Sequence, residues 1–312
     1  MKALFEIVLP VFLLIAVGAA LQRRRMIDAD TVERLTPLVF VVLMGPLLFR
    51  TMARAGLGQV AIGPTAAYYG SSLALFGAVA LVQAGWRGLP RRQAIVHALA
   101  ATFSNTAMIG IPIVGLAFGD AGLRILLPII ALHALIILTL ATVMLELDAA
   151  RASGGQAAAR AAGLRAVRQS IVHPVVLPIV AGLGWHAAGL TLPGPLDRAL
   201  QMLGDAGPTM SLLMLGASLG HAGLRGTWRG ALGLATLKSF LHPLLVLGAG
   251  AALGVSGLPL AVAVATGALP IGGNVYLFAQ RYGTEVGRVS AAVALSTLLS
   301  MASLAVLLTW FR

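Results

Sequence analysis

The chain has 312 residues, of which 59% are hydrophobic and 10% charged, with a mean hydropathy of +0.94. A soluble domain carries roughly 25% charged residues, so this composition excludes one and defines an integral membrane protein. The net charge of +12 is carried by arginines in short stretches between apolar runs, which sets topology rather than marking a nucleic-acid binder; the lack of cysteine excludes disulfides, thiol catalysis and cysteine-bound metals.

The apolar runs are long and continuous, not the alternating segments of about 10 residues that an outer-membrane barrel needs. With about 20 residues per helical crossing, the chain is predicted to be all-α, with ten spans at 3–21, 33–50, 61–84, 94–118, 123–146, 171–190, 198–220, 229–254, 258–281 and 287–310. Span 1 loosely imitates a secretory signal through Lys2 and Val17-Gly18-Ala19-Ala20. Arg23, Arg24 and Arg25 follow at once and oppose translocation, so it reads as a membrane helix. Gly45-Pro46 interrupt span 2, and Tyr68, Tyr69 and Trp86 are expected at the membrane interfaces. Leu147 to Ser170 reads as a solvated, partly helical linker. Asp205 and Gly207-Pro208 interrupt span 7, which ends in the close-packing spacing Gly216-Ala-Ser-Leu-Gly220.

Loop charges set the orientation. The odd-numbered loops hold fifteen arginines, while the opposite side holds six basic residues: Lys2, Arg50, Arg54, Arg124, Arg198 and Arg312. This places the odd loops in the cytoplasm and both termini in the periplasm of a bacterial inner membrane. Five spans per half then give opposite orientations, so two related halves (1–146 and 171–312, joined by 147–170) would form an inverted repeat. Gly119-Asp-Ala-Gly-Leu-Arg124 after span 4 and Gly283-Thr-Glu-Val-Gly-Arg288 after span 9 share glycine and arginine at one spacing.

Two spans are punctuated where a lipid-facing helix would not be. Span 4 has Asn105, Thr106, Gly110, Pro112 and Gly115; span 9 has Pro270, Gly272, Gly273, Asn274 and Tyr276. Breaks at membrane depth are tolerated where they line a cavity, and the freed backbone groups there can bind a ligand. Asparagine donates and accepts without a fixed charge, which suits a carboxylate or hydroxyl; its alternative role is an interhelical hydrogen bond. Lys238 lies about ten residues into span 8, some 15 Å deep at about 1.5 Å per residue, where a charge is costly and usually functional. It reads as a counter-ion, a proton-sensitive group or a fixed cation, or else as one partner of a pair with Glu6 or Asp205. His242 shares its helical face and could titrate near neutral pH. His97, His133, His173, His186 and His221 fall near span ends with no metal-ligand spacing. No phosphate loop and no His-Glu-x-x-His motif occurs, and no cofactor or metal is expected.

At these residues the chain resembles the auxin efflux carrier family of the bile acid/auxin/arsenite-type transporter superfamily. SNTAMIGIPIVGLAFG is similar to that family's fourth span, ALPIGGNVYLFAQRYG to its ninth, and LKSFLHPLL around Lys238 to bacterial members. The resemblance implies an NhaA-like fold: two inverted five-helix repeats in which broken helices 4 and 9 cross. It also implies a scaffold of spans 1, 2, 6 and 7, a moving domain of spans 3–5 and 8–10, an elevator motion and a homodimer. Pro112 matches the first crossing position. At the second this chain has Asn274-Val275-Tyr276 where plant members place a proline, so Gly272 and Gly273 would carry it.

The reading is a secondary active transporter of small organic anions such as dicarboxylates or auxin-like carboxylates. Asn105, Thr106, Pro112, Pro270, Gly272, Gly273, Asn274 and Tyr276 would form the substrate site. Lys238 and His242 would balance charge or couple H⁺ or Na⁺. Membrane lipid and the anion are the expected partners, with no nucleic acid. The main alternative is a cation/proton exchanger of related fold, which usually carries intramembrane carboxylates. An intramembrane enzyme would need a nucleophile–base pair that no spacing supplies, and a passive channel would not show counterflow.

Overall fold

The structure, a computed structural model, describes residues 4–54, 62–153, 175–219 and 228–311. The described elements are helices, named here α1 (Glu6–Arg23), α2 (Asp30–Ala53), α3 (Ile62–Trp86), α4 (Arg91–Thr102), α5 (Thr106–Ala149), α6 (Val176–Ala187), α7 (Gly194–Leu219), α8 (Trp228–Ala252), α9 (Gly257–Ala268), α10 (Asn274–Arg281) and α11 (Val286–Trp310). Six of them (α1, α2, α3, α5, α8 and α11) are long and apolar enough to cross a membrane. α6 and α9 are shorter apolar helices. α7 is long but carries Asp197, Arg198 and Asp205 in its first half.

α5 covers 44 residues, about 66 Å at 1.5 Å per residue and twice the hydrocarbon thickness. It is two legs, not one rod. Gly119 has φ 58° and ψ −154°, outside the helical region. A Cβ on Gly115 would touch Leu123 at 3.8 Å, a contact eight residues apart that only a reversal of the chain allows. Gly283, the counterpart in the second recurring stretch, also has positive φ, 61°. Of the linker, the helix reaches Ser153 and the remainder lies outside the described residues, as do Gly220, His173 and His221.

Proline shapes these helices in a repeated way. Pro10, Pro46, Pro112 and Pro243 each follow a stretch of π-helix, at Leu4–Val8, Val39–Met44, Thr106–Gly110 and Leu237–Leu241. A proline inside an α-helix lacks a donor and clashes with the carbonyl four residues back; widening the preceding turn relieves both. Gly45-Pro46 is therefore accommodated inside a helix; Pro208 also lies within one, and neither interrupts its span.

Tight glycine contacts hold α1, α2, α6 and α7 together. A Cβ on Gly216 would lie 1.9 Å from the Ile15 carbonyl oxygen, and one on Gly182 would lie 2.4 Å from that of Phe49. At one end of this group Arg50 of α2 pairs with Asp197 of α7 at 2.7 Å, and Arg54 joins at 2.6 Å. A second packed group centres on Leu99, Ala100, Ala263 and Ala292, from α4, α9 and α11. Tyr68 and Tyr69 belong to it. At 0% and 6% exposed they are core residues, not interface rings, because the Tyr68 hydroxyl is needed inside.

Candidate functional site

The chain leaves helical geometry between α4 and α5 and between α9 and α10, and the two breaks lie against each other. Ser104 and Ile271 form an antiparallel β-bridge. The Asn105 amide donates to the Pro270 carbonyl at 2.8 Å, and the Gly272 amide donates to the Phe103 carbonyl at 2.9 Å. Each break thus supplies the partners that the other lacks in an apolar interior. The first break falls at 103–105, where Phe103 is extended (φ −79°, ψ 108°). Pro112 lies seven residues beyond Asn105, buried inside α5 behind a π-turn. The expectation that Pro112 makes the crossing is corrected: the turn widens around the proline and the helix continues.

Nearly every amide of the breaks is satisfied. Phe103 N–H reaches the Leu99 carbonyl at 2.8 Å and Thr106 N–H that of Ser104 at 2.8 Å. Ser104 N–H donates to Nε2 of His133 at 3.0 Å, and Ile271 N–H to Oγ of Ser296 at 3.0 Å. Three exceptions remain. The amides of Ala107, Gly273 and Asn274 have no acceptor among the described residues. All three belong to the first turns of α5 and α10, whose N-terminal ends carry positive partial charge.

Those three residues line a cavity of about 720 Å³. Its lining holds Asn105, Thr106, Gly272, Gly273, Asn274 and Tyr276; Pro112, Pro270, Lys238 and His242 lie outside it. Asn105 Oδ1 accepts from the Met108 amide at 3.3 Å, which caps α5 and leaves Nδ2 with no acceptor among the described residues. The Asn274 side chain likewise has no partner among them. Among the described residues Glu33 is the only carboxylate in the lining, and neither lysine nor arginine contributes. The other lining residues include Val32, Thr36, Val175, Ser218 and Ser290, from chain ends beside the odd-numbered loops. The cavity therefore reaches the breaks from that side of the molecule.

Lys238 is fully buried, and its Nζ donates to the Gly267 carbonyl near the C-terminal end of α9. It makes no ion pair with Glu6, Asp205 or any other described carboxylate. The negative end of a helix dipole takes that place. His242 is also buried, with Nε2 2.9 Å from Oγ of Ser72. His133 contradicts its placement near a span end. It is 2% exposed, beside the first break, and forms part of the cavity wall. Sequence reading missed it, and Tyr68 and Ser104 with it, because only tertiary contacts bring them together.

Membrane helices, paired breaks and a one-sided cavity with unpaired donors at its end define a membrane transporter. The chain belongs to the family described as membrane transport protein, that of the auxin efflux carriers, whose model matches residues 3–308. It is 25% identical over 305 residues to a protein of Methanothermobacter thermautotrophicus named only as a transporter, covering 96% of this chain and 95% of that one. It is 24% identical over 315 residues to a Rhizobium meliloti protein named as a malonate transporter, covering 100% and 97%. Similarity to a rice protein named as an auxin efflux carrier component is 34% over 156 residues, 46% of this chain and 40% of that one. These relatives are named as transporters, not enzymes.

Proposed function

We propose that this transporter carries small organic anions by alternating access, binding the carboxylate at the paired breaks. The carrying observation is the set of unpaired donors there. Three amides, Asn105 Nδ2 and the Asn274 side chain belong to residues that line one cavity and have no acceptor among the described residues. Two helix N-termini and uncharged donors bind an anion and still release it. Glu33, the one lining carboxylate among the described residues, is exposed. The name of the Rhizobium meliloti relative supports a dicarboxylate such as malonate. The same reading takes the chain as ten spans in two inverted five-helix halves (1–146 and 171–312), dimeric, with both termini periplasmic. The matched left-handed glycines, Gly119 and Gly283, support the repeat. Lys238 of α8, whose Nζ donates to the Gly267 carbonyl at the end of α9, would balance charge near the site. A cation exchanger of related fold would instead need carboxylates at the breaks, and none lies there.

The test is counterflow in proteoliposomes preloaded with unlabelled malonate, malate, succinate or indole-3-acetate, following entry of the labelled acid. Saturable, accelerated exchange of one acid is expected. A hydrogen bond to a charged group contributes about 1.5–3 kcal/mol, so Asn105→Ala and Asn274→Ala should each weaken affinity about ten- to a hundredfold. Unchanged affinity in both variants would remove the site assignment.

A further inference from the structure

His133 closes a ring of hydrogen bonds around the first break. Its Nε2 accepts the Ser104 N–H at 3.0 Å, so that nitrogen carries no proton. In the neutral ring the proton is then on Nδ1, 3.5 Å from the Tyr68 hydroxyl oxygen. The Tyr68 O–H donates to Oγ of Ser104 at 2.9 Å, and the Ser104 O–H donates to the Thr266 carbonyl at 3.0 Å. Every donor has one acceptor and the direction of each bond is determined. Phe103 stacks on the imidazole at 4.2 Å with the planes 24° apart, which fixes the ring orientation.

In the second half the corresponding task, holding the amide of Ile271, falls to the hydroxyl of Ser296. A serine hydroxyl that holds an amide cannot take up a proton in the accessible pH range; an imidazole nitrogen has a lone pair that can. The asymmetry has a mechanical meaning. If His133 takes a proton on Nε2, an N–H bond forms and the lone pair that holds Ser104 is lost. The Ser104 amide is released, and the new N–H is free to donate to a carboxylate in the cavity, whose wall His133 forms. The titratable groups around it are Tyr68 and Tyr69 of α3, Lys238 and His242 of α8, and Glu33 of the cavity lining; α9 contributes only the Thr266 hydroxyl and carbonyl. An anion bound at the breaks is the opposite charge that favours the added proton there.

We propose that His133 is the proton-binding site of this carrier, taking up one proton on Nε2 as the organic anion binds at the breaks and releasing it as the anion leaves. The proposal rests on the organic-anion reading and adds its coupling ion. Binding is reciprocal: the anion draws in the proton, and the proton strengthens anion binding, by up to tenfold per pH unit for one linked proton. His133→Gln keeps an acceptor for Ser104 N–H and a donor for Tyr68 but cannot be protonated, so it preserves the neutral ring.

The experiment follows a pH dye trapped in proteoliposomes while a gradient of malonate, malate, succinate or indole-3-acetate drives transport, beside counterflow of the same acid. Wild type should move protons with the acid; His133→Gln, which lacks the added N–H that meets the carboxylate, should bind the acid more weakly, with an affinity that no longer changes with pH, and the acid it still exchanges should move without protons. Calorimetric binding to wild type in buffers of different ionisation enthalpy should give about one proton taken up per acid bound, and this needs no variant. Exchange without proton uptake, or proton movement that survives in His133→Gln, overturns the His133 assignment and leaves the transport reading intact. Absence of exchange for every acid in vesicles holding folded wild type overturns both.

Discussion

Gly272 is the residue that lets the two breaks touch. A Cβ there would lie 2.7 and 2.8 Å from the Phe103 ring and 3.2 Å from the Ser104 carbonyl oxygen. Phe103 also stacks on His133, so moving it disturbs that contact. Gly272→Ala should therefore cost about 1–3 kcal/mol through overpacking. It should lower the unfolding temperature in detergent and abolish counterflow, whereas Gly273→Ala, with open space around its Cβ position, should stay near wild-type stability. Equal stability of the two variants would show that the close approach is not needed. The glycines and asparagines of the cavity were legible in the sequence because a lipid-facing helix has no use for them. His133 was not. It meets Ser104 across 29 residues, Tyr68 meets Ser104 across 36, and Ser72 meets His242 across 170. No local pattern records such pairings.

Between elements, the ion pair that joins α2 to α7 is open to test. Arg50 donates to Asp197 through two nitrogens, at 2.7 and 3.2 Å, with Gln201 at its edge. The Arg50 guanidinium, helped by Arg54, holds the Asp197 carboxyl below its ordinary value of 3.8. A lowered folded-state pKa gives stability that is present above the unfolded pKa and lost as pH falls through the folded one. Asp197→Asn should thus unfold at a lower temperature than wild type near neutral pH, and the gap should shrink below about pH 4. A gap that stays constant in acid would mean the carboxylate charge is not what joins the helices. Helix positions were largely readable from apolar run lengths, and the apolar run broken at Gly119 appeared as two separate spans. The π-turns were not readable: a proline in the sequence announces a problem for the helix, but not whether the helix breaks or widens around it. Around Pro112 the helix widens, while the true break at 103–105 contains no proline.

At the scale of the molecule, the cavity reaches the breaks from the helix ends that adjoin the odd-numbered loops, whose sequences hold fifteen arginines. The chain has no cysteine, so a single engineered thiol reports its side cleanly. Ser218→Cys, an exposed position in the cavity lining, should react with a membrane-impermeant maleimide applied to inverted vesicles and not to intact cells. Labelling from both sides at equal rates would contradict a one-sided cavity. The membrane class and the family were legible from composition and from two punctuated stretches. Which side is open was not, because that depends on how helix ends splay around the breaks rather than on any residue.

The mutual pairing of the breaks also bears on how the chain is made. Asn105 N–H waits for the carbonyl of Pro270, and Gly272 N–H closes on Phe103. At 5–20 residues per second the ribosome takes on the order of ten seconds to travel from one break to the other. During that interval the first half sits in the bilayer with its break unmatched and its polar backbone unsatisfied. A message truncated after Ser153 would leave the Asn105 N–H and the Phe103 carbonyl without those partners, and a second half supplied separately would have to meet it in the membrane to satisfy them.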